Sequence, residues 1–212
     1  MLGPIALQLG LQVDADAPLA IFVSRITQQK MADVLLQHLP ELMRRAPRMQ
    51  FAMLGRGDPD LEAGFSQLQE GFRGRAAVRI DYTEPLAHRL HAGGDLLLHG
   101  SRFEPCGLAQ LYAMRYGTVP VVRRVGGLAD SVTDADAEHP APTGFVFDEP
   151  SGSALMCAVE RGVGTYQSNP ARWRALQHNA MTADFGWERS ARDYAALFRA
   201  AQMRAPALQR AA

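Results

Sequence analysis

The chain has 212 residues, 47% of them apolar, which suits one large α/β domain with a real core. Lys and Arg number 22, as do Asp and Glu, so the formal net charge is zero; that excludes a strongly basic, dedicated nucleic-acid binder but not a local basic pocket. No apolar run approaches the roughly 20 residues of a membrane span, no signal-peptide pattern is present, and the two cysteines, Cys106 and Cys157, lack paired metal-ligand spacing. The expectation is a soluble cytoplasmic protein with no cofactor.

Residues 1–18 read as a lead-in: a short helix over 5–11, then a turn-rich linker over 14–18. Residues 19–23, LAIFV, are an apolar run with β-branched and aromatic members, which predicts a buried strand. A loop follows over 24–30, then a helix over 31–45 with Val34, Leu35, Leu39 and Leu42 on one face. Pro40 lies inside that span and is expected to kink or divide it. Residues 49–54 form a second strand. Asp58, after the tight turn at 55–59, is placed to cap a helix over 59–72. A strand over 77–81, a helix over 86–92 and a strand over 95–99 come next. The stretch GSRFEPCGL, residues 100–108, then joins a strand to a helix ending near Tyr116. Residues 117–122 read as a turn and a fifth strand, which leads to the loop RRVGG at 123–127 and a short helix over 128–132. Residues 134–142 read as an exposed acidic, Pro-rich loop, and 144–147 as a last strand. Helices over 153–166, 170–183 and 188–203 finish the chain, with a frayed tail over 205–212. Strands alternating with helices indicate βαβ units and a parallel sheet. There is no internal repeat and no long linker.

Three loops after strands carry basic or Gly-rich groups: 24–30, 100–107 and 123–127. In a parallel sheet they lie at one edge, where Arg25, Lys30, Arg102, Arg123 and Arg124 would meet. Arg binds a diphosphate as a fork and Lys as a point charge. The free N–H groups of the helix after Gly107 suit phosphate, and Gly126 and Gly127 offer a second anion nest. A loop arginine is most often a solvated surface residue, and Gly-Gly before a helix is more often a plain turn. Neither GxxxxGK[ST] nor a GxGxxG after the first strand is present, so Walker-type and dinucleotide binding are not supported. His88, His91 and His99 lack ligand partners at metal spacing and read as structural or surface residues. Ser101 lacks a G-x-S-x-G elbow. Cys106 opens a helix, but no His is near it in sequence, so a nucleophile role is the minor reading.

The motifs VSRITQQK (23–30), LGRGDP (54–59), SRFEPCGLAQLYAMRYGTVPVVRRVGGLADSV (101–132), TGFVF (143–147) and FGWERSARDY (185–194) resemble bacterial glycogen synthases and plant starch synthases. The match runs from about Leu9 to Arg199 and is to their C-terminal, donor-binding half. The resemblance implies a GT-B arrangement, two Rossmann-like domains facing across a cleft. It also implies transfer of glucose from ADP-glucose to the non-reducing end of an α-1,4-glucan with retention, and no metal. It assigns the diphosphate to Arg25 and Lys30, and a place near the donor sugar to Glu104. The turn of Cys106, Gly107 and Leu108 would address sugar hydroxyls and phosphate, and Tyr82 would pack on adenine. The implied divisions are 1–18 lead-in, 19–184 nucleotide-sugar-binding domain, and 185–212 crossover helix and tail.

The sequence departs from the family's pattern in places. Met31 stands where Gly usually follows the lysine, and Gly100 where Pro usually ends the strand. These changes are expected to crowd the helix start and loosen the loop. Tyr112 replaces the second Glu of many related transferases, so ribose contacts do not carry over. The family's N-terminal half, with its Lys-x-Gly-Gly loop and catalytic His, has no counterpart in these residues. The chain alone is therefore expected to be inactive, with a separate N-terminal domain as a possible partner and the last helix exposing Trp187, Tyr194, Leu197 and Phe198. Two other readings stand beside this one: a non-catalytic nucleotide-binding or interaction module, and a GT-B transferase using UDP-glucose.

Overall fold

The structure, a computed structural model, describes residues 2–204; the tail expected over 205–212 lies outside the described residues. The residues fall into two compact units, one up to Thr182 and the other from Ala183.

The first unit is built on six parallel strands: β1 (Leu19–Val23), β2 (Gln50–Gly55), β3 (Ala76–Ile80), β4 (Leu96–His99), β5 (Val119–Arg123) and β6 (Phe145–Phe147). Their order is β3-β2-β1-β4-β5-β6, the Rossmann order. Both faces of the sheet are buried, which is why its strands read as continuous apolar runs. Alternate residues feed two cores. Phe22, Phe51, Met53, Leu98, Val121 and Phe145 point one way, with α2 (Ala32–Arg45), α3 (Pro59–Gly71) and α7 (Gly152–Ser168). Leu19, Ile21, Leu54 and Leu97 point the other way, with α1 (Leu2–Leu9), α4 (Glu84–Gly93) and α5 (Ala109–Tyr116). A short α6 (Gly126–Ser131) follows β5, and α8 (Pro170–Thr182) places Trp173 and Leu176 in the first core.

Several local readings are refined. Helix α2 is not divided at Pro40 but runs unbroken from Ala32 to Arg45. Burial of Leu35, Leu39, Leu42 and Met43 along one side outweighs the roughly 3 kcal/mol a proline costs a helix interior. The lead-in is part of the second core, since Ile5, Ala6, Leu9 and Leu11 are buried there with Leu90 of α4. Asp58 caps α3 as expected, its side chain accepting from the N–H groups of Asp60 and Leu61. The acidic loop is exposed only from Asp136 to Pro140. Its start is tied down, because Asp134 accepts from Val146 N–H and from Arg161.

Asp95, just before β4, accepts the Leu19 N–H at 2.8 Å, and burial pushes its carboxyl up to about 6. The folded protein then holds this proton more tightly than the unfolded chain. Its stability falls as pH rises from about 3.8 through about 6 on account of this group. Asp95→Asn keeps an acceptor for Leu19 and carries no charge. Thermal melts at pH 4 and pH 7 are expected to show the variant gaining on the wild type as pH rises. A constant difference between them would be inconsistent with a buried, strained carboxylate.

The second unit contains α9 (Trp187–Arg204). Trp187, Tyr194, Leu197 and Phe198 are exposed on it. Among the described residues no helix is long and apolar enough to cross a membrane.

Candidate functional site

The strand order reverses between β1 and β4. Open α/β sheets bind ligands in the crevice outside the strands' carboxyl ends at such a point. The two loops there are the one after β1, with Arg25 and Lys30, and the one after β4, with Glu104.

The first loop is laced to the turn after β2. Ile26 N–H donates to Arg56 O at 2.9 Å and Asp58 N–H to Ile26 O at 2.8 Å. Only glycine fits at position 57, where a Cβ would lie 2.0 Å from Ile26 O. A single 3-10 turn, Gln28–Lys30, follows and ends on Met31 at φ 56°, ψ 29°. Met31 is the one non-glycine residue with positive φ among the described residues. Its side chain does not crowd the helix; it is buried against Gly100, whose Cβ, if present, would meet Met31 Sδ at 3.3 Å. The two departures from the family pattern therefore touch each other.

The second loop is tied to the first. Arg102 N–H donates to Gln29 O at 2.8 Å, and Gln29 Nε2 to Phe103 O at 3.0 Å. The expected shared edge of five cations is corrected here. Arg102 forks onto Asp33 with two contacts of 2.8 Å. Arg123 donates to the carbonyls of Ser101, Arg102 and Asp148, and Arg124 pairs with Asp148. Those three arginines build the loops. Arg25 is exposed, with one guanidinium nitrogen donating to Gln29 Oε1 at 2.8 Å.

Glu104 is 8% exposed and lies at the centre. Its Oε2 accepts from Lys30 Nζ and, at 3.2 Å, from Ser101 Oγ, with His99 Nε2 3.4 Å away. His99 and then Lys30 hold its carboxyl down to about 2, against the upward push of burial. Burial drives the His99 ring the other way, below its ordinary value, so it is neutral near pH 7.

At Gly126 and Gly127, where an anion nest is expected, the backbone packs against the Glu104 turn. Gly127 N–H donates to Glu104 O at 3.0 Å. A Cβ at Gly126 would lie 2.0 Å from Glu104 O, and one at Gly127 would lie 2.1 Å from Cys106 O. The pair clamps the back of the Glu104 turn. On its other side Gly107 adopts φ 76°, and buried Gln110 donates to the carbonyls of Cys106 and Gly107 at 3.1 and 3.0 Å. Cys106 and Leu108 are exposed. Among the described residues no group accepts the N–H of Leu108 or Ala109 at the start of α5.

A cavity of about 290 Å³ opens at the same edge, lined by the end of β1 and by Tyr82, His88, His91, Ala109 and Tyr112. Tyr82 is 61% exposed. His91 is buried, stacks on Tyr116 with ring centroids 6.4 Å apart, and is pushed down to about 4 by burial, with His88 and His99 adding to the effect. It is a neutral aromatic wall. Among the described residues no group of His, Cys, Asp and Glu is arranged to hold a metal ion.

Reasoning from sequence missed Gln110, Asp33 and the place of His99. A glutamine on the apolar side of a short helix was the one available signal for the first.

The pattern of the family described as glycosyl transferases group 1 matches residues 10–163. The glycogen synthase of Burkholderia thailandensis is 57% identical over 196 residues, covering 91% of this chain and 37% of that protein. That of Bordetella bronchiseptica is 52% identical and covers 90% and 38%. The catalytic domain of starch synthase IV from Arabidopsis thaliana, solved with ADP and acarbose, superposes with a TM-score of 0.84 at 31% identity. That match covers 94% of this chain and 42% of the other. The chain thus spans about two fifths of the length of these relatives, and its sheet is one half of a GT-B fold. The chain belongs to the glycosyl transferases group 1 family.

Proposed function

We propose that this chain is the donor-binding half of an ADP-glucose-dependent glycogen or starch synthase, a cytoplasmic enzyme that extends α-1,4-glucans at the non-reducing end with retention. The observation that carries it is the pairing of Lys30 with Glu104 at the switch point between β1 and β4, with Arg25 exposed on the same loop as Lys30. Arg25 and Lys30 neutralise the diphosphate. The open N–H groups of Leu108 and Ala109 point with the α5 dipole toward negative charge. Tyr82 stacks on adenine at the mouth of the aromatic cavity, and Glu104 Oε1 faces the donor sugar. The same groups stabilise charge that grows on the departing ADP, and such fixed donors lower the barrier. The glucan acceptor is held by an N-terminal half, and the residues from 185 onward serve as the crossover between halves. Alone, this chain transfers no glucose at a measurable rate.

Titration calorimetry with ADP tests the reading. The wild type is expected to bind, and to bind UDP more weakly. Lys30→Ala is expected to weaken ADP roughly ten- to a hundredfold, because it removes a charge-assisted contact and leaves Glu104 uncompensated beside the phosphates. No heat from the wild type, or equal affinity in Lys30→Ala, overturns the assignment.

A further inference from the structure

We propose that His99 is a positioning residue for Glu104: it holds the carboxylate by Oε2 so that Lys30 is free to turn to an anionic ligand. The proposal rests on the donor-site reading above and extends it to a residue with no role in that reading.

The geometry is specific. His99 ends β4 and is buried, with 2% of its surface exposed. Its Nε2 is sealed from solvent and makes no completed hydrogen bond, yet Glu104 Oε2 lies 3.4 Å away. A buried N–H without a partner is costly, and a small rotation gives this one a charged acceptor. The neutral ring carries one proton, and the carboxylate beside Nε2 fixes it there.

All three donors converge on one oxygen. Lys30, Ser101 and His99 face Oε2, while Oε1 accepts from no group among the described residues. The Lys30 ammonium and the Glu104 carboxylate neutralise each other. A diphosphate draws the ammonium away. Oε2 then keeps Ser101 and His99, and the side chain stays in place with Oε1 presented to the ligand. With an apolar residue at 99, the nearly buried carboxylate would keep only Ser101 once Lys30 left, and the ammonium would resist leaving it. The charged and titratable groups around the ring are Glu104 and Lys30 from the two loops and His91 from α4.

The test uses this chain with His99→Leu, His99→Gln and Glu104→Gln, singly and combined, with ADP affinity measured by calorimetry at pH 7.5. His99→Leu is expected to weaken ADP about tenfold, the usual scale of one hydrogen bond to a charged group. His99→Gln, which retains a donor, is expected to restore most of that affinity. In the Glu104→Gln background His99→Leu is expected to change nothing further, the mark of two residues acting as one. An equal loss in both backgrounds, or no loss in either, overturns the proposal. A second measurement needs no ligand: the Glu104 carboxyl carbon followed by NMR through acid titration. Its midpoint should rise in His99→Leu and stay near the wild-type value in His99→Gln. An unchanged midpoint in His99→Leu rejects the contact. Failure of wild-type ADP binding together with a risen midpoint rejects the donor-site reading and leaves the contact standing.

Discussion

Gly127→Ala is expected to cost roughly 3–5 kcal/mol of stability and to abolish ADP binding in whatever fraction remains folded. The added methyl would lie 2.1 Å from Cys106 O, 2.5 Å from Cys106 Cα and 2.6 Å from Cys106 C. All three atoms are backbone, so no rotamer change relieves the clash. Either α6 or the Glu104–Leu108 turn must move. Any displacement of the turn breaks contacts, because Gln110 holds the carbonyls of Cys106 and Gly107, and Lys30 and Ser101 hold the Glu104 carboxylate. A shift of about 1 Å there takes the Leu108 and Ala109 N–H groups out of line with a phosphate, a misplacement that is costly in a preorganised site. Gly164→Ala is the matched control. Gly164 lies inside α7, and a methyl added there would meet nothing within 4 Å, so that substitution should stabilise by about 0.5–1 kcal/mol. Urea unfolding and ADP calorimetry on the two variants measure both effects. A Gly127→Ala protein as stable as the wild type would show that the clamp is slack.

The strands were legible in the sequence because a doubly covered parallel sheet leaves almost no polar residue in its strands. Residues 19–23 and 50–55 are buried throughout, and their apolar runs say so directly. Helix starts were legible where a side chain caps them, as at Asp58, and less so at α2, whose start is set by the left-handed Met31. The site was legible as three loops after strands, and two of them do meet where Lys30 pairs with Glu104. What could not be read was which cations remain open to a ligand. Arg102 finds Asp33 from 69 positions away, and Arg124 finds Asp148 from 24. Such pairings depend on tertiary placement that periodicity does not encode. The packing of Gly126 and Gly127 against the Glu104 turn was hidden for the same reason. A nest and a clamp have identical local sequence, and only the backbone of the Glu104 turn lying against them distinguishes the two.

Met31 and Gly100 are expected to behave as one unit. Met31 sits at φ 56°, a conformation that costs a side-chain-bearing residue about 1 kcal/mol or more and that glycine adopts freely. Met31→Gly relieves that strain but empties a buried position lined by Leu35, Leu98 and Leu155, for which a loss of roughly 2–4 kcal/mol is usual. Gly100→Pro places ring atoms where Met31 Sδ already approaches a Cβ position to 3.3 Å, an overpacking expected to cost about 2–3 kcal/mol. In the double variant, the pairing that the family resemblance presents, the proline ring enters space that the methionine has left, and the left-handed residue is glycine. The loss in the double variant should therefore fall short of the sum of the single losses by at least about 1–2 kcal/mol, a coupling large for residues in contact and absent for independent ones. Urea denaturation of the four proteins closes the cycle. Strict additivity would mean that the contact between Met31 and Gly100 contributes nothing, and that each departure is accommodated by its own surroundings.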